Sequence, residues 1–212
     1  TPLVLTLGTL AVIYASLTTI RQTDLKRIIA YSSVSHMGVV MLAIFTLSVI
    51  GIEGSIFLQI AHGLVSSALF IIVTVLYDRH HTRLVKYYSG VVITMPLFVS
   101  IFLFFTLANI AVPLSCNFIG EFLCLLATFQ VNTFVAIFAT FGIVLSAAYS
   151  LFLFNRVSFG SFSPHLTYQP DISKREFFVL LPFILLTILF GLFPNIVLNL
   201  IHSSVIYLLT FF

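Results

Sequence analysis

The chain has 212 residues, of which 60% are hydrophobic and only 7% are charged, and its formal net charge is +3. Because soluble domains carry about 25% charged residues, this composition excludes a soluble globular protein and indicates a chain surrounded by lipid. The sequence contains no phosphate-binding loop, no CxxC pair and no nucleic-acid-binding module. Nucleotide, flavin, iron–sulfur and nucleic-acid binding are therefore not expected of this chain.

Six apolar segments predict six membrane spans, since a helix needs about 20 residues to cross a bilayer. The fourth segment is too long for one simple helix. A seventh apolar piece is short for a span and is predicted to be an interfacial or packed terminal helix. Asp171 or Ser173 is expected to cap the last span, with Glu176 completing a capping box after Ser173. The spans are residues 2–20, 28–49, 55–77, 91–129, 133–154 and 177–193, and the terminal piece is 196–212.

The second span begins with the sequence DLKR and carries several polar side chains. Ser32 and His36 are four residues apart and share one helix face, while Lys26 and Ser33 share another. His36 is suited equally to a structural hydrogen bond and to a proton relay. Lys26 either anchors the helix at the membrane interface or faces inward.

The third span carries His62 in the run AHGLVSSALF, followed by small and hydroxylated residues. One interpretation is tight helix packing with a histidine hydrogen-bonded across helices. The other is a proton relay, because histidine titrates near neutral pH. At the end of this span, the run YDRHHTR is interpreted as a solvated, salt-bridged helix end. Two adjacent histidines point in different directions on a helix, so His80 and His81 are not expected to bind a metal.

The fourth segment contains a proline and a single acid in apolar surroundings. Pro113 has no N–H and clashes with the preceding turn, so the helix is predicted to break near Val112. Either this is a simple kink packed against neighbouring helices, or it is the broken helix of a transporter. Glu121 favours the second interpretation, because ionisable residues at membrane depth cost roughly 2.5–3.5 kcal/mol and are usually functional.

The basic residues all fall on alternate connections, after spans one, three and five. The connections near residues 51–54 and 130–132 contain none. This agrees with the positive-inside rule and places the basic side in the cytoplasm or the mitochondrial matrix. The nine residues are Arg21, Lys26, Arg27, Arg79, Arg83, Lys86, Arg156, Lys174 and Arg175.

Several motifs, in this order, closely resemble the later part of chain 4 of NADH–ubiquinone oxidoreductase, respiratory complex I. The resemblance covers essentially the whole chain. An abundance of phenylalanine without tryptophan, 24 residues against none, is typical of a low-GC organelle genome and agrees with it. The motifs are RQTDLKRIIAYSSVSHM, AHGLVSSALF, YDRHHTR, NFIGEF and AAYSLFLFNR.

The resemblance implies a fold with two inverted repeats, of which this chain supplies the second. Residues 1–212 form one membrane domain. Residues 1–154 are the second antiporter-like repeat, 155–176 the loop on the basic side, and 177–212 the terminal helix with an interfacial tail. One departure is visible: the family often has a glycine after the proline of the break, whereas Leu114 stands here. The break is therefore expected to be stiffer than usual.

The resemblance also assigns roles along a proton path. Glu121 corresponds to the acid of the second broken helix and His62 to the relay histidine before it. His81 corresponds to the histidine of the HTR run, and Lys26 lies where protons enter from the matrix side. With His36, these five residues are the candidate proton path. The chain is expected to bind no cofactor or metal, because NADH, flavin, iron–sulfur clusters and quinone bind to other subunits.

The predicted function is that of a proton-translocating membrane-arm subunit of complex I in the mitochondrial inner membrane, with basic loops in the matrix. The expected partners are other membrane-arm subunits, membrane lipid and a separate chain carrying the first half of chain 4, because the acid and two central lysines of the first repeat have no counterpart here. Two alternatives stay open. One is a subunit of a multi-subunit sodium/proton antiporter, and the other is a structural assembly piece that carries no protons.

Overall fold

The computed structural model describes residues 2–165, 168 and 170–210. Within those residues the chain forms nine α-helices and one short 3-10 helix, Val85–Tyr87. The α-helices are α1 (Pro2–Arg21), α2 (Leu25–Ile44), α3 (Val49–His80), α4 (Val91–Thr94), α5 (Pro96–Asn109), α6 (Cys116–Val131), α7 (Thr133–Ser158), α8 (Lys174–Leu192) and α9 (Asn195–Leu209).

Five of these helices, α1, α2, α3, α7 and α8, are long and apolar enough to cross a membrane. The predicted fourth span is divided between α5 and α6, of 14 and 16 residues. The prediction of an all-α membrane protein with a discontinuous fourth span is therefore confirmed. The division at residues 154 and 176 stays a prediction, and residues 1, 166, 167, 169, 211 and 212 of those segments lie outside the described residues.

The second helix is shifted towards the N-terminus relative to its predicted span, so the predicted boundaries were wrong. It begins at Leu25 because the side chain of Asp24 accepts a hydrogen bond from the backbone N–H of Lys26 and caps the helix. It ends at Ile44, and Leu47 then adopts a φ of 51° as the chain turns into α3. The turn at residues 45–48 contains Phe45 and Leu47. Because the apolar pattern continues through the turn, it predicts a span that extends past the end of the helix.

The predicted fourth span contains a second interruption that the sequence analysis did not anticipate. Helix α4 ends at Thr94 and α5 begins at Pro96, with Met95 between them at φ −133° and ψ 66°. A proline ring disfavours the helical conformation in the residue before it, and this dipeptide therefore separates the two helices. Helix α5 is then the first half of the broken helix.

Two glycines let α3 and α6 approach each other closely. A Cβ atom on Gly120 would lie 2.8 Å from the Cα atom of Leu58, and a Cβ atom on Gly54 would lie 2.7 Å from the Cβ atom of Leu123. Small residues at such contacts are typical of helix pairs in membranes. Helix α3 also packs against α2, α5, α8 and α9. It is therefore the central helix of the bundle, and both halves of the broken helix pack against it.

The three basic connections meet at one end of the helix bundle. The backbone N–H of Leu25 donates to the carbonyl of Arg83 at 2.9 Å, which joins the first basic connection to the second. The hydroxyl of Ser89 donates to the carbonyl of Ser161 at 2.7 Å, which joins the second to the third. The charge pattern read from the sequence thus corresponds to one physical end of the molecule.

The last basic connection ties α8 to the broken helix. Ser173 and Glu176 form the expected capping box at the start of α8. Asp171 instead caps α5, where its carboxylate accepts hydrogen bonds from the backbone N–H groups of Leu97 at 2.8 Å and Phe98 at 3.1 Å. Ser173 therefore caps the last span as expected, whereas the alternative cap, Asp171, was wrong for that helix because its carboxylate is bound at the start of α5.

Helix α9 is attached to the opposite end of α3. The Nδ1 atom of His202 lies 2.6 Å from the Oε1 atom of Glu53, which stands near the start of α3. Since α9 also packs along α3, the terminal helix is held by both a polar and an apolar contact.

Candidate functional site

Glu121 and His36 form a buried acid–base pair between α6 and α2. The Oε1 atom of Glu121 lies 2.8 Å from the Nδ1 atom of His36, and both residues are 3% exposed. This distance is that of an ion pair when the imidazole is protonated, but Oε1 of Glu121 makes no hydrogen bond of suitable geometry among the described residues. The broken helix therefore places its only acid directly against a titratable base.

His62 of α3 extends this pair into a group of three titratable side chains. Its ring centroid lies 4.8 Å from that of His36, with the planes inclined by 35°. The Nε2 atom of His62 is 3.1 Å from the hydroxyl oxygen of Ser33 on α2. Helices α2, α3 and α6 thus bring an acid, two histidines and a hydroxyl into one continuous set of contacts.

Several buried polar atoms around this group have no hydrogen-bond partner among the described residues. They include Nε2 of His36, Nδ1 of His62 and both amide heavy atoms of Asn117, which precedes Glu121 by one helical turn. Buried polar atoms in proteins normally have partners. These unused donors and acceptors are therefore available to water or to a mobile proton.

The break between α5 and α6 sets the position of Glu121. Helix α5 ends at Asn109, and Ala111 and Leu114 on either side of Pro113 have φ values of 63° and 82°. These left-handed conformations are costly for residues with a Cβ atom. The break near Val112 is confirmed, and the positive φ of Leu114 explains physically why a glycine would be favoured at this position.

We expect Leu114→Gly to stabilise the protein by about 1 kcal/mol, because glycine removes the strain of the left-handed conformation. The Leu114 side chain is 67% exposed, so little buried surface is lost. The measurement is the temperature at which the chain is lost from solubilised native membranes. Leu114→Ala is the matched control: it shortens the side chain but keeps the Cβ atom, and equal stabilisation by both variants would contradict the argument.

Lys26 and His81 lie at the basic end of the bundle, away from the acid–base group. Lys26 is exposed and lines a cavity of about 300 Å³ together with Thr74, Tyr77 and Arg83. His81 ends α3 with a φ of 53°, roughly 28 Å along the helix axis from His62. The structure therefore brings together three of the five predicted residues and places the other two at the basic end of the helix bundle.

Sequence reasoning missed two residues of the site. The hydroxyl of Ser33 forms a hydrogen bond with Nε2 of His62. The sequence signal for it is its spacing of three residues from His36, which places both side chains on one face of α2. The second is Tyr149 on α7, a 4%-exposed phenol that lines a small cavity together with Ser32 of α2. No local pattern marks Tyr149, because its place in the site depends on how α7 packs.

The fold and the site define a class: a polytopic membrane protein in which a broken helix carries a buried carboxyl group against histidines. Residues 1–146 match the family described as NADH:quinone oxidoreductase/Mrp antiporter, TM. The chain belongs to this family.

Similar proteins of known sequence and structure belong to the family that the motifs resemble. The chain is 56% identical to NADH-ubiquinone oxidoreductase chain 4 of Marchantia polymorpha over 206 residues, which is 97% of this chain and 42% of that protein. It superimposes with a TM-score of 0.90 and 29% identity on a chain of respiratory complex I from Thermus thermophilus with bound NADH, covering 98% of this chain and 44% of that one. The resemblance predicted from the motifs is confirmed.

The fold is shared more widely. A chain of the Mrp complex from Dietzia superimposes with a TM-score of 0.86 at 17% identity, covering 96% of this chain and 46% of that chain. At this identity the likeness concerns the fold alone. In each of these comparisons the chain spans less than half the length of the protein it matches.

Proposed function

We propose that this chain translocates protons as part of a membrane-arm subunit of NADH:ubiquinone oxidoreductase. The observation that carries the proposal is the buried contact of 2.8 Å between Glu121 and His36 at the broken helix. A carboxyl group in an apolar membrane segment is costly unless it is paired, and a pair that can exchange a proton is suited to transport. NADH, flavin, iron–sulfur clusters and quinone would be bound by other subunits.

The proposed path runs through alternating acids, bases and hydroxyls. A proton on His62 passes to His36 and then to Glu121, the last titrating site. Ser33 accepts or donates at the Nε2 atom of His62, so it can supply the next proton from the side of α2. The short separations allow each transfer to occur directly or through one water molecule.

Lys26 and His81 are proposed to lie where protons enter. Lys26 stands two turns before Ser33 on the same face of α2, about 10 Å along the axis. Both Lys26 and His81 are exposed at the basic end, which in a mitochondrial inner membrane is proposed to face the matrix. A charge that crosses the membrane exchanges about 2.3 kcal/mol per 100 mV, so this path would couple directly to the membrane potential.

One face of α3 supports the proposed partners. Gln59, Gly63 and Thr74 are exposed along this membrane helix, and a Cβ atom on Gly63 would meet nothing within 4 Å. Polar and small residues at membrane depth usually face protein. We propose that the first half of chain 4, whether in the same or a separate polypeptide, covers this face, with other membrane-arm subunits and lipid around the remainder.

The test of this assignment is the composition of the native complex. Membranes solubilised gently and separated on a native gel should show peptides of this chain in the slices that contain NADH dehydrogenase activity, together with peptides of the first half of chain 4. Migration away from that activity with antiporter subunits, and sodium-dependent transport, would instead support the antiporter alternative that the shared fold allows.

A further inference from the structure

Gly191, near the end of α8, contacts the break between α5 and α6. A Cβ atom at this position would clash with the carbonyl oxygen of Leu114 and would lie 3.0 Å from the carbonyl carbon of Ser115. A glycine inside a helix costs up to about 1 kcal/mol relative to alanine. Its presence here matches the close approach of two backbones, since the contact leaves no room for a side chain.

We propose that Gly191 is a positioning residue for proton transfer: it admits the Leu114 carbonyl against α8 and so fixes the break segment, residues 110–115, and the helix that carries Glu121. This inference rests on the proposed function. Glu121 follows Ser115 by only six residues of continuous helix. A displacement of the break segment therefore moves the Glu121 side chain by a similar distance.

An added methyl group at Gly191 must move the break segment rather than α8. Real Cβ atoms essentially never approach other atoms more closely than 3.0 Å, so the two backbones must separate. The end of α8 leads directly into α9, which is attached to α3 by the contact of His202 with Glu53. The break segment, in contrast, lies between α5 and α6 and is part of neither helix, so it yields more easily than α8.

The opposite side of α6 cannot absorb this displacement. Gly120 already brings α6 against the backbone of Leu58 on α3, so α6 must rotate or slide along its axis when the break is pushed. Either motion changes the 2.8 Å separation between Glu121 and His36. Misplacement of reacting groups by about 1 Å lowers reaction rates by up to about a hundredfold.

The experiment compares variants in the assembled complex, in sealed membranes, by the number of protons translocated per NADH oxidised. We expect Gly191→Ala to lower this ratio to the value of Glu121→Gln while assembly and NADH oxidation persist. Adding Leu114→Gly should restore the ratio, because a glycine at this position lets the break take up the displacement before it reaches α6. Leu189→Ala, an exposed position on the same helix, is the matched control and should leave the ratio unchanged.

An unchanged ratio in Gly191→Ala, or a loss that Leu114→Gly does not restore, would overturn the positioning role. If Gly191→Ala prevents assembly, an experimental structure of the unaltered complex becomes the test. Contact between Gly191 and the Leu114 carbonyl in that structure supports the proposal. Separation of α8 from the break segment refutes it. The Glu121→Gln variant separates a failure of the proposed function from a failure of the positioning role of Gly191. A normal ratio in that variant refutes the proposed function, whereas a low ratio there with a normal ratio in Gly191→Ala refutes only the positioning role.

Discussion

The proposed function predicts that Glu121→Gln reduces proton translocation through this chain by at least tenfold while the complex still assembles. Glutamine has nearly the same volume as glutamate and can still contact His36, but it neither binds nor releases a proton. Removal of a positioned acid or base costs typically 10²–10⁴-fold in proton-transfer catalysis. The measurement is proton uptake into sealed vesicles relative to NADH oxidation.

The control for this variant is Glu53→Gln, the same chemical change on α3. Glu53 lies at the end of the helix away from the basic connections and contacts His202 rather than the central histidines. Glu53→Gln should leave proton uptake unchanged, because the glutamine amide can still form a hydrogen bond with His202 and keep α9 attached. Normal pumping in an assembled Glu121→Gln complex would support the alternative that the chain has only a structural role.

The break and the candidate acid were predictable from local chemistry. Pro113 cannot donate a backbone hydrogen bond and clashes with the preceding turn, wherever its helix packs. Glu121 was conspicuous because nothing near it in the sequence could neutralise a charge. These arguments need no knowledge of tertiary structure, and the break lies where they placed it.

The contact between His36 and Glu121 was not predictable in the same way. It depends on the relative heights of α2 and α6, which are set through α3 by the close contacts at Gly54 and Gly120. A shift of one residue changes the height by about 1.5 Å and the direction of a side chain by about 100°. The sequence of α2 alone therefore fits His36 as a structural partner and as a relay equally well, and in the structure His36 lies directly against the acid.

Helix boundaries failed for a related reason. Hydrophobicity reports which residues avoid water, but caps decide where a helix begins and ends. The Asp24 cap starts α2 three residues earlier than the hydrophobic pattern predicts. The Met95–Pro96 dipeptide separates α4 from α5 within the predicted fourth span. Both signals are local, yet in an apolar sequence they compete with a hydrophobic pattern that runs through them.

Arg79→Ala is expected to destabilise the chain by about 3 kcal/mol, and its level in the native complex should fall several-fold. The Arg79 guanidinium donates to both carboxylate oxygens of Glu176, at 3.0 and 2.8 Å, and to the carbonyls of Pro170 and Asp171 at 3.1 and 3.2 Å. The two charged side chains are only 11% and 18% exposed. Removing the arginine leaves a partly buried carboxylate without its cation.

The consequence reaches the broken helix, because the same segment carries the Asp171 carboxylate that caps α5. The readout is the abundance and thermal loss of the chain in native membranes, with Arg175→Ala as control, since Arg175 is exposed in the same region and surface substitutions usually change stability by less than 0.5 kcal/mol. Arg79→Lys should be intermediate, because lysine keeps the charge but cannot bind both carboxylate oxygens in a fork. Equal stability of the Arg79→Ala and Arg175→Ala variants would show that this cluster does not hold α3, α5 and α8 together.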